Sequence, residues 1–126
     1  MQIEVSFTGE PISPDHGHAT GSGAIVEFHG VVREMEKDRK ISAIIYEIYE
    51  PMAERSITKI LRELSFVHPC KFVRLIHRHG PVPVGEASIY VRIESEHRRE
   101  AFRMMEQFMD RLKVEVPIWK TGFVSC

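Results

Sequence analysis

Four cationic side chains carry the first chemical signal in this sequence: His97 and Arg98, then Lys113 and Lys120. His97 and Arg98 fall where a helix is expected to begin. There, unpaired backbone N–H groups and the helix dipole favour an anion. Cations at that end gain little unless an anionic group joins them or they pair with neighbours such as Glu94 or Glu100. Lys113 falls near the end of the same helix, where a lysine also simply matches the dipole. Lys120 follows the Pro117 break, beside Trp119. If a turn brings the two ammoniums together, their repulsion favours a neutral amine able to act as base or nucleophile. From His97 to Lys113 is sixteen residues, roughly 24 Å of continuous helix. One chain cannot wrap both ends of that helix around one small ligand. A shared site therefore requires a twofold dimer in which each chain lends His97 and Arg98 to its neighbour.

Other candidates carry less. His77-Arg78-His79 and His16-Gly17-His18 invite a metal reading, but neither has a third ligand close by in sequence. Cys70 reads as a small buried residue and Cys126 as the thiol of a frayed tail. No G-x-S-x-G, P-loop or H-E-x-x-H motif is present.

The elements that must position these residues follow from periodicity. Ile3, Val5 and Phe7 alternate with polar residues and predict a strand. Residues 9–23, rich in Gly, Pro, Ser, Asp and His, predict a loop. Gly23 to Val32 predicts a second strand with Gly30 as a bulge or close backbone approach. Arg33 to Lys40 is dense in charge and predicts an exposed, mobile loop. Ile41 to Tyr49 returns to strand character. Pro51 suits the first turn of a helix whose stripe of Met52, Ile57, Ile60, Leu61 and Leu64 runs to about Phe66, with Pro69 beyond as a stop. Lys71 to His77 predicts a strand, Gly80 to Gly85 a stiff connection, and Ser88 to Ile93 a half-buried strand. Ser95 is expected to cap the second helix. The stripe Ala101, Met105, Phe108 and Leu112 carries that helix to about Lys113, and Pro117 to Lys120 predicts an edge strand. Strands arriving in runs predict an α+β fold with a mostly antiparallel sheet and two main helices.

Composition sets the frame. The chain has 126 residues, enough for one domain spanning 1–126. Seventeen basic and eighteen acidic residues leave a net charge of −1, which argues against a general nucleic-acid binder while leaving room for a local basic pocket. Two cysteines make no disulfide framework. The longest apolar runs, such as Ala43-Ile44-Ile45, are too short to span a bilayer, and the first residues lack signal-peptide features. A cytoplasmic, soluble protein is expected, with neither nucleic acid nor membrane as partner.

Five segments in order bring a family into view: Gly23 to Arg33, Tyr46 to Met52, Ile76 to Gly80, Ser95 to Arg98, and Met109 to Lys113 continuing through Pro117 to Lys120. Over most of its length the chain resembles the large, catalytic subunit of molybdopterin synthase. The resemblance implies an α/β-hammerhead fold and a sulfurtransferase of molybdenum-cofactor biosynthesis that converts cyclic pyranopterin monophosphate to molybdopterin. Sulfur then comes from the C-terminal Gly-Gly thiocarboxylate of a small ubiquitin-like partner subunit. The assembly it implies is a homodimer of this subunit with one partner at each end, a heterotetramer. Carried over by motif, Lys113 and Lys120 are the catalytic residues, Arg33, His97 and Arg98 bind substrate, and Phe28 and Met109 line the channel for the partner's tail. No resident metal or other cofactor is expected. After Lys120, where family members usually carry further charged residues, this sequence has Thr121-Gly122-Phe123-Val124-Ser125-Cys126. Rival expectations are a non-catalytic relative that binds only partner or pterin, a small metal-binding protein using His16, His18, His29, His77 and His79, and sulfur carried on Cys126.

Overall fold

The computed structural model describes residues 1–15, 17 and 20–126; His16 and His18, weighed above as metal ligands, lie outside the described residues. The alternating apolar residues of the N-terminus form β1 (Gln2–Thr8), followed by β2 (Ala24–Val31), β3 (Met35–Glu36), β4 (Arg39–Ile48), α1 (Glu50–Ser65), β5 (Phe72–Arg78), β6 (Gly80–Pro83), β7 (Ala87–Ser95), α2 (Arg98–Glu115) and β8 (Ile118–Ser125). One sheet has the order β1-β5-β7-β2. Its β1–β5 pair is parallel and its other pairs are antiparallel. In the second, β3, β6 and β8 all pair antiparallel with β4. The class is α+β, as expected.

Both helices bury their predicted stripes on one face of the first sheet, except for Met52 of α1, which is exposed. Ile57, Ile60 and Leu61 of α1 and Ala101, Met104 and Phe108 of α2 pack with Val73, Leu75, Val91 and Ile93 of β5 and β7 in one apolar core. The expectation that Ser88 to Ile93 is half-buried needs correction, because β7 is buried on both faces. Its polar set, Tyr90, Arg92 and Glu94, lies under the segment between β1 and β2. Arg92 donates to the Gly17 carbonyl at 2.6 Å and to Glu94 at 3.0 Å, Ser22 donates to Glu94 at 3.0 Å, and the Tyr90 hydroxyl donates to Glu27. An alternating pattern records which residues are polar, and here hydrogen bonding lets the polar face be covered too.

Four further expectations are revised. Arg33 to Lys40 is no loop: it holds β3, the start of β4 and a tight turn at Lys37 and Asp38 with φ of 51° and 63°. Tight hairpin turns of this kind need two central residues of positive φ. Gly80 to Pro83 is a strand despite Pro81 and Pro83, because β6 is an edge strand and the prolines occupy alternate positions opposite Ile45 and Ala43. Ser95 ends β7 rather than capping α2; the N-cap is His97, in extended conformation, and the Ser95 hydroxyl donates to the His97 carbonyl. Finally, the predicted edge strand Pro117 to Lys120 continues along β4 as far as Ser125, so the residues expected to fray are mostly paired, with Cys126 exposed beyond them.

Candidate active site

The strand register across the first sheet prepares a cavity. Gly30 of β2 and His77 of β5 both lie opposite Ile89 of β7, so the three form one row across the face that carries the helices. Gly30 contributes no side chain to this row, and a Cβ there would lie 2.6 Å from Ile89 Cγ2 and 3.3 Å from Phe28 Cε2. The close approach expected at Gly30 is therefore present, and a bulge follows it at Val31. Around this floor stand Met109, Leu112 and Lys113, which share one face of the last turns of α2 at i, i+3 and i+4. Ile118 and Lys120, two apart on β8, come from another side. Tyr46 and Arg33 complete a cavity of about 520 Å³, whose rim includes Phe28. That volume lies within the usual range for small-molecule sites.

Of the seven sequence-predicted site residues, Arg33, Lys113, Lys120, Phe28 and Met109 line this one cavity. Its lining includes three cations and no Asp or Glu. None of the three cations is ion-paired with a described residue. Lys113 also sits in the last turn of α2, so dipole matching and cavity lining hold together. Lys120 lies opposite Tyr46 next to a register shift between Ile45 and Tyr46, and it also borders a smaller hollow of about 220 Å³ with Glu36, Lys37 and Phe123. A concave site with unpaired cations and apolar walls attracts an anionic ligand and holds it by charge-assisted hydrogen bonds.

His97 and Arg98 are elsewhere. They border a separate hollow of about 410 Å³ with Arg99, Phe102 and Arg103 at the opposite end of the 18-residue α2. His97 Nε2 lies 3.6 Å from the Glu96 carboxylate, with both side chains largely exposed. Within one chain the structure does not bring this pair to the lysines, as the helix length requires.

Two further cavity residues, Tyr46 and His77, were given no part in the anion site from sequence, His77 having been read only as a candidate metal ligand. Their rings meet edge to face at 5.2 Å. The available signal was His77 taking the next place in the apolar alternation Val73, Leu75, where a polar residue is out of pattern. His77 and His79 part company, His79 lining a different hollow with Tyr49 and Trp119. Among the described residues no three His, Cys, Asp or Glu side chains gather as a metal site. Burial pushes the Cys70 thiol up to about 11, and neither cysteine borders the cavity.

The chain matches the family model described as MoaE protein over residues 7–115. A rice protein (Oryza sativa subsp. indica) named molybdopterin synthase catalytic subunit is 38% identical over 106 residues, which cover 84% of this chain and 55% of that protein. The chain thus spans about half the length of this curated relative. Among solved structures, molybdopterin synthase from Staphylococcus aureus superposes with a TM-score of 0.80 at 31% identity, covering 98% of this chain and 93% of that one. A protein–protein complex of subunits 1 and 2 of molybdopterin-converting factor from Helicobacter pylori shares the fold with a TM-score of 0.68 at 22% identity, over 84% of this chain and 73% of that one. Family model, sequence relatives and fold agree over most of the chain, which belongs to the MoaE protein family of molybdopterin synthase catalytic subunits.

Proposed function

We propose that this chain is a sulfurtransferase, the catalytic subunit of a molybdopterin synthase, converting cyclic pyranopterin monophosphate to molybdopterin. One observation carries the reading: Arg33, Lys113 and Lys120 share a cavity of about 520 Å³ with no carboxylate among its lining residues. The substrate phosphate and the thiocarboxylate of a sulfur-carrying partner are both anionic, and such a cavity suits each. Arg33 holds the substrate's negative charge. Lys113 and Lys120 draw in the thiocarboxylate and stabilise negative charge that develops as sulfur is transferred, with Lys113 the more critical. Phe28 and Met109 flank the channel taken by the C-terminal tail of a small ubiquitin-like partner.

The working assembly in this reading is a cytoplasmic homodimer with one partner subunit at each end. Each protomer supplies His97 and Arg98 to the other's cavity, a reading supported by the length of α2 and by the separation of the two cationic clusters within one chain. The Helicobacter pylori neighbour, a two-subunit complex, supports a partner of this kind. No described helix is long and apolar enough to cross a membrane.

The test is to incubate the protein with thiocarboxylated partner and the cyclic pterin precursor and to assay dithiolene product. Product from wild type and its loss in Lys113→Ala are expected. A folded wild type that binds partner and pterin without forming product would reassign the chain as a non-catalytic relative.

A further inference from the structure

His77 is the buried titratable group of the cavity to which the reading above gives no task. It is 4% exposed and occupies the floor row beside Ile89. Its Nδ1 lies 2.9 Å from the Arg78 carbonyl oxygen. A carbonyl oxygen only accepts, so Nδ1 carries the proton and, in the neutral ring, Nε2 carries the lone pair. Burial disfavours the imidazolium and outweighs the Arg78 hydrogen bond, which favours it. The Tyr46 ring, edge to face at 5.2 Å, fixes the imidazole plane from the side.

Nε2 itself has no hydrogen-bond partner among the described residues. Among those residues the one side-chain nitrogen or oxygen both sealed from solvent and without a partner is Arg78 Nε. His77 Nε2 is therefore open, and the space it opens into is the cavity that His77 lines. The other polar groups there have different capacities. Arg33, Lys113 and Lys120 only donate, Ser88 donates to the Gly30 carbonyl at 3.2 Å, and His29 and Tyr46, which also line the cavity, can both donate and accept. The cavity thus pairs charged donors around its walls with an uncharged acceptor, held in one tautomer, at its floor.

We propose that His77 orients the substrate: its Nε2 accepts a hydrogen bond from a ring N–H of a nitrogen heterocycle whose anionic end is held by Arg33. This rests on the pterin reading above and adds to it how the ring is told from other anions of similar size. Phosphate alone satisfies the cations; only a ligand with a donor at the far end also satisfies Nε2, and a buried acceptor left unpaired costs affinity.

Two variants in the partner-bound enzyme separate orientation from packing. His77→Phe keeps an aromatic ring against Tyr46 and removes the acceptor, while His77→Gln keeps an acceptor at about the reach of Nε2. The expected result is a KM for the pterin precursor raised roughly tenfold in His77→Phe, as loss of one buried hydrogen bond implies. The KM for thiocarboxylated partner should stay unchanged, and His77→Gln should return to within about threefold of wild type, a smaller deficit than one lost hydrogen bond. A folded His77→Phe with wild-type KM for the precursor overturns the inference, as does equal impairment of both variants toward both substrates. If wild type itself forms no product, the sulfurtransferase reading falls instead. His77 is then judged by ¹⁵N NMR with a pterin monophosphate as probe. A neutral ring protonated at Nδ1, whose Nε2 signal moves on adding the probe, supports the assignment; a protonated Nε2, or no movement at saturation, overturns it.

Discussion

Lys113 and Lys120 illustrate a trade between function and stability at the scale of single side chains. Like charges gathered in one cavity without a carboxylate repel each other, and that repulsion is relieved only when an anion enters. Lys113→Ala and Lys120→Ala should therefore each leave the midpoint of thermal unfolding unchanged or slightly higher. Their kcat/KM for dithiolene formation should fall by about 100-fold or more, the usual cost of removing a group that stabilises developing charge. Calorimetry and the product assay on the same preparations check both halves. His77 makes the opposite kind of prediction, through pH. Burial holds its pKa below the ordinary 6.5. As pH falls through about 6.5, the unfolded imidazole takes up a proton that the folded one refuses. The unfolded state then binds more protons, and stability declines on acidification. In His77→Phe the slope of unfolding free energy between about pH 5 and 6.5 should flatten by up to one proton's worth, measured by urea titration at several pH values.

The strand β2, which shapes the cavity floor, depends on one close approach at Gly30. Gly30→Ala puts a methyl 2.6 Å from Ile89 Cγ2, inside the floor row, so the buried Ile89 side chain must shift. We expect a loss of about 1–3 kcal/mol, typical of overpacking, together with reduced turnover. Gly122→Ala on β8 is the control: its added Cβ would meet only Ile45 Cδ1 at 3.7 Å, an ordinary contact, and stability should stay within about 0.5 kcal/mol. Denaturant titrations of the two variants decide this. The contrast also shows what was legible in advance. Gly30 inside an apolar run already pointed to close backbone approach, and the stripes of α1 and α2 were readable because a helix repeats one face every three to four residues. The β3–β4 turn was hidden, because Lys37 and Asp38 adopt positive φ without the Gly or Asn that normally announces it. β6 was hidden by its two prolines, which are tolerated only because the strand lies at an edge. His97 and Arg98 were readable as helix-start cations, and the row that makes His77 a floor residue was not, because it depends on pairing between strands distant in sequence.

At the scale of the molecule, the two ends of α2 pose a geometric problem that one chain cannot solve alone. Lys113 faces the cavity and His97 and Arg98 face a separate hollow. The sixteen residues from His97 to Lys113, almost all of α2, hold them apart along roughly 24 Å of rise. In the proposed twofold dimer every composite site draws the lysines from one protomer and the His-Arg pair from its partner. A variant with His97 and Arg98 both changed to Ala and a Lys113→Ala variant should then each be inactive as homodimers. When the two are unfolded together, refolded and mixed, about half of the dimers pair unlike chains. In each such heterodimer one site carries both defects and the other carries neither. Recovered activity should therefore approach about one quarter of wild type at equal inputs, and should vary with the input ratio as the product of the two fractions. A site completed within one chain predicts no recovery at any ratio. Recovery on mixing the folded homodimers, without refolding, should follow the rate at which subunits exchange, so its time course also reports how firmly the proposed dimer is held.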